Sequence, residues 1–190
     1  MKIYPDGFEL NKYTLRDFNA RKRFTRNYAW ALPSYKAIRS IVSFAAGELI
    51  TEIGAGKGYW ASLISKSHGN IRCFDLSSVV TDYFYSDADS KRVSPFYPVE
   101  FKNSYDEVLN SARESNILFF CWPEWGKDWA AKYVKEINPQ KIIYIGEYRG
   151  GCTGNDELFD ILEEKYALKE IISIPRWDWV NDFLGLYECK

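Results

Sequence analysis

A chain of 190 residues with 25 Lys+Arg against 26 Asp+Glu has a formal net charge of -1, which excludes a polybasic nucleic-acid coat and an acidic disordered tail. At 46% hydrophobic and 17% aromatic residues, it has the apolar surface for a core, a length suited to one domain, and no low-complexity linker. No apolar run approaches the roughly 18 to 20 residues of a membrane span, and the start MKIYPDGFEL has neither a charged n-region nor an apolar h-region. A soluble, cytoplasmic protein with no membrane partner is therefore expected.

Residues 12–26 form a basic arm: Lys12, Arg16, Arg21, Lys22, Arg23 and Arg26 stand against the single acid Asp17, with Phe18, Phe24 and Tyr28 interleaved. That mixture suits phosphates and stacked bases. It equally suits a solvated helix face balanced by Asp156, Glu157, Asp160, Glu163 and Glu164. A helix follows over 34–46, with Ser34 as N-cap. Short apolar runs at 48–54, 71–75, 116–121 and 141–146 read as buried strands. Between them, helical patterns are expected over 58–66, 105–114, 127–137 and 155–166, starting at Ser104, Gly126 and Asn155 for the last three. The stretch 77–103 is the least patterned, with one strand expected over 96–101. Strand-like runs at 168–174 and 182–189 are too close for a helical crossover, so they should be antiparallel neighbours. Strands alternating with helices predict an α/β sandwich around a mostly parallel sheet.

Histidine and cysteine chemistry is scarce. Cys73, Cys121, Cys152 and Cys189 contain no CxxC pair, and His68 is the only histidine. No metal site is expected, and neither a Ser/His/Asp nor a Cys/His catalytic arrangement.

The informative motif is Glu52-Ile53-Gly54-Ala55-Gly56-Lys57-Gly58, at the turn from a buried strand into a helix. It lacks the GxxxxGK[ST] of a phosphate-binding loop. An NAD-type GxGxxG would need a third glycine where Tyr59 stands. The acid two residues before GxGxG, with Asp75 ending the next strand, instead resembles motifs I and II of class I S-adenosylmethionine (SAM) methyltransferases. The resemblance runs over about residues 34–190. It implies a three-layer αβα Rossmann-like fold with seven strands ordered 3-2-1-4-5-7-6, the last antiparallel. It implies SAM as cofactor, leaving S-adenosylhomocysteine. Its binding residues would be Glu52, Gly54, Ala55, Gly56, Gly58, Tyr59, Trp60, Asp75, Leu76 and Trp122, with Asn103 or Glu100 at the adenine. Residues 1–33 would be an N-terminal cap and 34–190 the SAM domain.

Ligands in open α/β sheets sit beyond the carboxyl ends of the strands, which draws attention to the loop Trp122-Pro123-Glu124-Trp125 and to the glycine-rich segment 147–154. The first is similar to the (D/N/S)PP(Y/F/W) of methyltransferases acting on exocyclic base amines, departing from it at Trp122 and Glu124. Trp30, Trp122, Pro123, Trp125 and Glu147 are the expected acceptor border, with Glu124 or Glu147 as the group that takes a proton. Gly150, Gly151 and Gly154 suggest a mobile or tightly turned loop. Three readings remain open: methyl transfer to an acceptor that is either a small molecule or nucleic acid, base-amine methylation through the WPEW loop, and a non-catalytic SAM-binding interaction or sensor domain.

Overall fold

The computed structural model describes residues 14–15, 18–79 and 94–190. Lys12, Arg16 and Asp17 of the basic arm lie outside the described residues, as do 80–93 of the stretch without clear pattern.

Seven strands form one sheet: β1 (Ile50–Ile53), β2 (Ile71–Leu76), β3 (Glu100–Lys102), β4 (Ile117–Cys121), β5 (Lys141–Gly146), β6 (Tyr166–Ser173) and β7 (Phe183–Cys189). Their spatial order is β3-β2-β1-β4-β5-β7-β6. The pairs β1–β2, β1–β4, β2–β3 and β4–β5 are parallel, whereas β7 runs antiparallel to both β5 and β6. This is the expected order. The helices are α1 (Phe18–Asn27), α2 (Tyr35–Ala45), α3 (Tyr59–Lys66), α4 (Tyr105–Ala112), α5 (Trp129–Ile137) and α6 (Asp156–Lys165).

The period of two in the central strands divides the core. Ile117 and Phe119 of β4, with Ile143 and Ile145 of β5, pack with Ala37, Ile38 and Ile41 of α2 and Ala61 and Ile64 of α3. Leu118, Phe120, Ile142 and Tyr144 face the other way, toward Val108, Leu109, Ala131, Val134, Leu158 and Phe159 of α4, α5 and α6. Strands covered on both faces must be apolar on both, which is why they read as continuous runs.

Caps set the helix boundaries. Ser34, Ser104 and Asn155 each accept a backbone N–H from the first turn of α2, α4 and α6, as expected. The α5 start differs: the helix begins at Trp129 after Asp128, because Gly126 has φ 70° and belongs to the preceding loop. The strand expected over 96–101 is shorter, only Glu100–Lys102. Upstream, the Phe96 N–H donates to the Lys57 carbonyl and the Tyr97 hydroxyl to the Ile71 carbonyl, so this segment is spent on loop contacts. Between β6 and β7, Arg176–Trp177 forms a two-residue strand parallel to Thr14–Leu15. Leu32, Trp177 and Val180 make a small core there, with Phe24 of α1 packed on it. No helix among the described residues is long and apolar enough to cross a membrane.

Candidate functional site

After Ile53 the chain leaves β1 through Gly54, Gly56 and Gly58, all left-handed with φ of 75°, 53° and 67°. The Gly54 and Ala55 N–H groups donate to the Phe74 carbonyl of β2, at 3.0 and 3.2 Å. A side chain at Gly54 would meet the Trp129 ring at 3.0 Å, whereas among the described residues nothing lies within 4 Å of the corresponding point at Gly56. The turn is therefore packed beneath one glycine and open above the next.

Asp75, near the end of β2, closes this turn. Its Oδ2 accepts the Gly56 N–H at 2.6 Å and its Oδ1 the Leu76 N–H at 2.7 Å. Burial pushes its pKa up to about 6, against the pull of those two donors, and the charge of Glu124 adds to the rise. Glu52 lies deeper, with the Cys73 thiol at 3.5 Å from Oε2. Burial pushes Glu52 up to about 8; the Cys73 contact opposes this and the neighbouring Asp75 charge assists it. Lys57 is buried too, its ammonium donating to the Arg26 carbonyl of α1 at 2.5 Å. Burial lowers its pKa. That bond ties the glycine turn to the helix in front of it.

These groups line one cavity of about 530 Å³ at the carboxyl ends of β1, β2 and β4. Glu52, Gly54, Ala55, Gly56, Tyr59, Trp60, Asp75 and Leu76 line it, and so do Trp30, Trp122 and Glu124. Trp122 stacks on Trp30 with ring centroids 5.1 Å apart and planes at 10°. Its backbone is left-handed, with φ of 59°, and its indole N–H donates to Asp182 Oδ1 at 2.8 Å.

The remaining expected residues stand elsewhere. Gly58 shapes the turn without reaching the cavity wall. Asn103 is exposed and accepts from the Ser77 hydroxyl, while Glu100 pairs with Lys102, so neither borders the cavity. Pro123 is buried outside the cavity lining, its carbonyl taking the Gly154 N–H at 2.8 Å, and Trp125 is 70% exposed away from the wall.

Glu147 requires the largest correction. Expected at the acceptor border, it is a buried structural acceptor: Oε2 takes the Cys152 N–H at 2.6 Å and Oε1 the Asn181 N–H at 2.7 Å. It thereby fastens the 147–154 segment to the loop before β7. That segment is tightly turned and pinned, since Glu124 also bridges to Thr153.

Sequence reasoning missed the wall formed by Tyr105 and Val108 of α4 and Trp129, Lys132 and Tyr133 of α5. Tyr105 and Tyr133 stack at 4.3 Å. The available signal was an aromatic at the first position of three helices that follow strands, Tyr59 of α3, Tyr105 of α4 and Trp129 of α5. The Tyr105 hydroxyl and the Trp60 indole N–H are buried without a partner among the described residues. Both belong to residues that line the cavity, where a ligand can satisfy such groups. Among the described residues no cluster of His, Cys, Asp and Glu could hold a metal ion.

No family model matches this chain, and no curated protein matches its sequence. Its fold, by contrast, is well represented among solved structures. It resembles the Pyrococcus abyssi tRNA (uracil-54, C5)-methyltransferase in complex with S-adenosyl-L-homocysteine: TM-score 0.52, 18% identity, 85% of this chain and 40% of that one. It resembles TrmN from Thermus thermophilus at TM-score 0.53 and 11% identity, over 90% of this chain and 53% of the other. A third likeness is to a mutant of MtNAS in complex with S-adenosylmethionine, at TM-score 0.50 and 14% identity, over 82% of this chain and 63% of that one. This chain thus spans well under two thirds of the first two and just under two thirds of the third. At these identities the shared feature is the fold, the seven-stranded αβα sandwich of class I methyltransferases.

Proposed function

We propose that this chain is a SAM-dependent methyltransferase whose donor lies along the glycine turn and whose acceptor enters beside Trp30 and Trp122. The observation that carries this reading is the joint placement of the open Gly56 turn and the Asp75 carboxylate on one cavity wall at the strand ends. The volume of about 530 Å³ falls in the range of small-molecule sites.

The residues present fit the cofactor. Asp75 spends one acceptor position per oxygen on Gly56 and Leu76, which leaves lone pairs for a pair of ribose hydroxyls. Leu76, Val108, Tyr105 and Tyr133 offer an apolar and aromatic wall to a planar base, and Glu52 and Lys57 polar partners to an amino-acid moiety. Bound SAM supplies a methyl group activated by its sulfonium.

The chain's own contribution is alignment and the exclusion of water, which can supply much of the acceleration of an in-line displacement. Trp30 and Trp122 present stacked faces at the cavity and restrict how a flat acceptor enters. Glu124 receives the proton that an amine sheds once its lone pair has taken the methyl group and the C–S electron pair has returned to sulfur. In this reading residues 1–33 act as a cap over a SAM domain of 34–190.

Calorimetric titration with SAM and S-adenosylhomocysteine tests the donor site, with transfer of labelled methyl groups from SAM to cell-extract components as the second arm. Binding of either ligand at micromolar concentration, followed by label transfer, is the expected result. Absence of binding by both ligands overturns the reading.

A further inference from the structure

We infer that α1 and the start of α2 form a docking surface for single-stranded nucleic acid, which delivers one base to the cavity beside Trp30. This rests on the methyl-transfer reading of the cavity and names the class of acceptor. The charge distribution is the first observation. Between residues 18 and 47 there are Arg21, Lys22, Arg23, Arg26, Lys36 and Arg39 and not one Asp or Glu, although the whole chain has a net charge of -1. Such a segment attracts a polyanion regardless of the overall balance.

The acidic stretch 156–164 has its ion pairs elsewhere. Asp156, Asp160 and Glu163 face Arg149, and Glu157 faces Lys135. The basic surface and the acidic helix α6 are therefore not each other's counterweights in the fold.

The second observation is what accompanies the charge. Phe18, Tyr28, Trp30 and Tyr35 are all exposed large aromatics, Tyr35 at 76%, within 18 residues of one another. Arg39 lies over the Tyr35 ring at 5.6 Å. Exposed rings among cations are the equipment for stacking unpaired bases while holding phosphates. A duplex hides its base faces and gains nothing from them.

The third is continuity. Thr25 at the end of α1, with Tyr28, Ala29 and Trp30 just beyond it, lines the cavity itself. The end of α1 and the Trp30–Trp122 stack thus share one cavity wall.

Fluorescence anisotropy with a labelled 20-mer single-stranded RNA of mixed sequence provides the test. The matched single-stranded DNA, an RNA duplex, heparin and phosphatidylserine vesicles are its other arms. The expected result is single-strand binding at about 50 mM salt that weakens steeply by about 200 mM. In the Lys22→Ala/Arg23→Ala double variant the slope of log K against log salt should shrink by about 1.4. In Trp30→Ala affinity should fall on the order of tenfold with the slope unchanged. A Lys165→Ala/Lys169→Ala variant should leave both unaltered. Preference for RNA over DNA or the reverse identifies the source of the strand, and both support the inference. Equal or tighter binding of the duplex, of heparin or of vesicles overturns it. SAM titration of the same sample separates the two readings. SAM binding without single-strand binding overturns this inference alone, and loss of both overturns the reading of the cavity as well.

Discussion

The indole N–H of Trp122 donates to Asp182 Oδ1 at 2.8 Å, joining the loop after β4 to the start of β7 across 60 residues of sequence. Asp182 is 1% exposed and its Oδ2 has no partner among the described residues. Burial pushes its pKa up to about 7; the Trp122 bond opposes that rise and the nearby Glu147 charge adds to it. One bond thus holds both a buried carboxyl and the left-handed Trp122 that lines the cavity.

Trp122→Phe should keep the ring stack on Trp30 but leave both Asp182 oxygens without a donor. The cost should be about 1–3 kcal/mol in urea unfolding. It should be larger at pH 8 than at pH 5, because the ionised carboxylate depends more on the lost donor. An equal cost at the two pH values contradicts the assignment.

Stability should decline as pH rises from about 4 to about 8. Glu52, Asp75 and Asp182 have folded pKa values raised to about 8, 6 and 7, each above its ordinary carboxylate value. The native state therefore binds more protons than the unfolded chain across this window. The resulting stabilisation is complete below the unfolded carboxylate range and is lost as pH passes each folded value. Glu52→Gln should remove part of the slope and stabilise the ligand-free protein at pH 8 by about 1 kcal/mol or more. Thermal unfolding at pH 5, 6.5 and 8 measures both effects.

Asp75→Ala should weaken SAM binding by about 1.5–3 kcal/mol, the scale of hydrogen bonds to a charged group. Affinity in the parent protein should also fall as pH drops through about 6, where the carboxylate takes a proton and loses acceptor capacity. Calorimetry across pH 5–8 checks this, and a flat profile in the parent would remove Asp75 from the donor site.

Two glycines of the turn should respond differently. Gly58 has φ 67° and would place a side chain 3.1 Å from the Tyr97 carbonyl and Cβ. Gly58→Val should therefore cost roughly 2–4 kcal/mol, combining left-handed strain with overpacking. Gly56→Ala meets open space and should cost only about 1–2 kcal/mol of backbone strain, yet it intrudes on the cavity and should weaken SAM binding further. Melting temperature and calorimetry together separate the two.

The sheet was legible because each buried strand is a short apolar run and three helix starts carry their own caps: Ser34, Ser104 and Asn155 signal α2, α4 and α6 through side chains that accept the first-turn N–H groups. The Glu52–Gly58 turn and Asp75 were legible for the same reason. Conformation at a glycine turn and a carboxylate at a strand end are local properties, visible over a few residues.

What the tertiary structure alone decided is which side chains share a space. Glu124 and Glu147 read alike as carboxylates after consecutive strands. Yet the fold sets Glu124 on the cavity wall and closes Glu147 onto two backbone N–H groups, one of them 34 residues away at Asn181. Likewise Tyr105, Trp129 and Tyr133 reach the cavity only because α4 and α5 pack on one face of the sheet. Backbone preference acts between neighbours in sequence, whereas a cavity is bounded by whatever packing brings together. The first was therefore written in the chain order, and the second appeared only in the folded molecule.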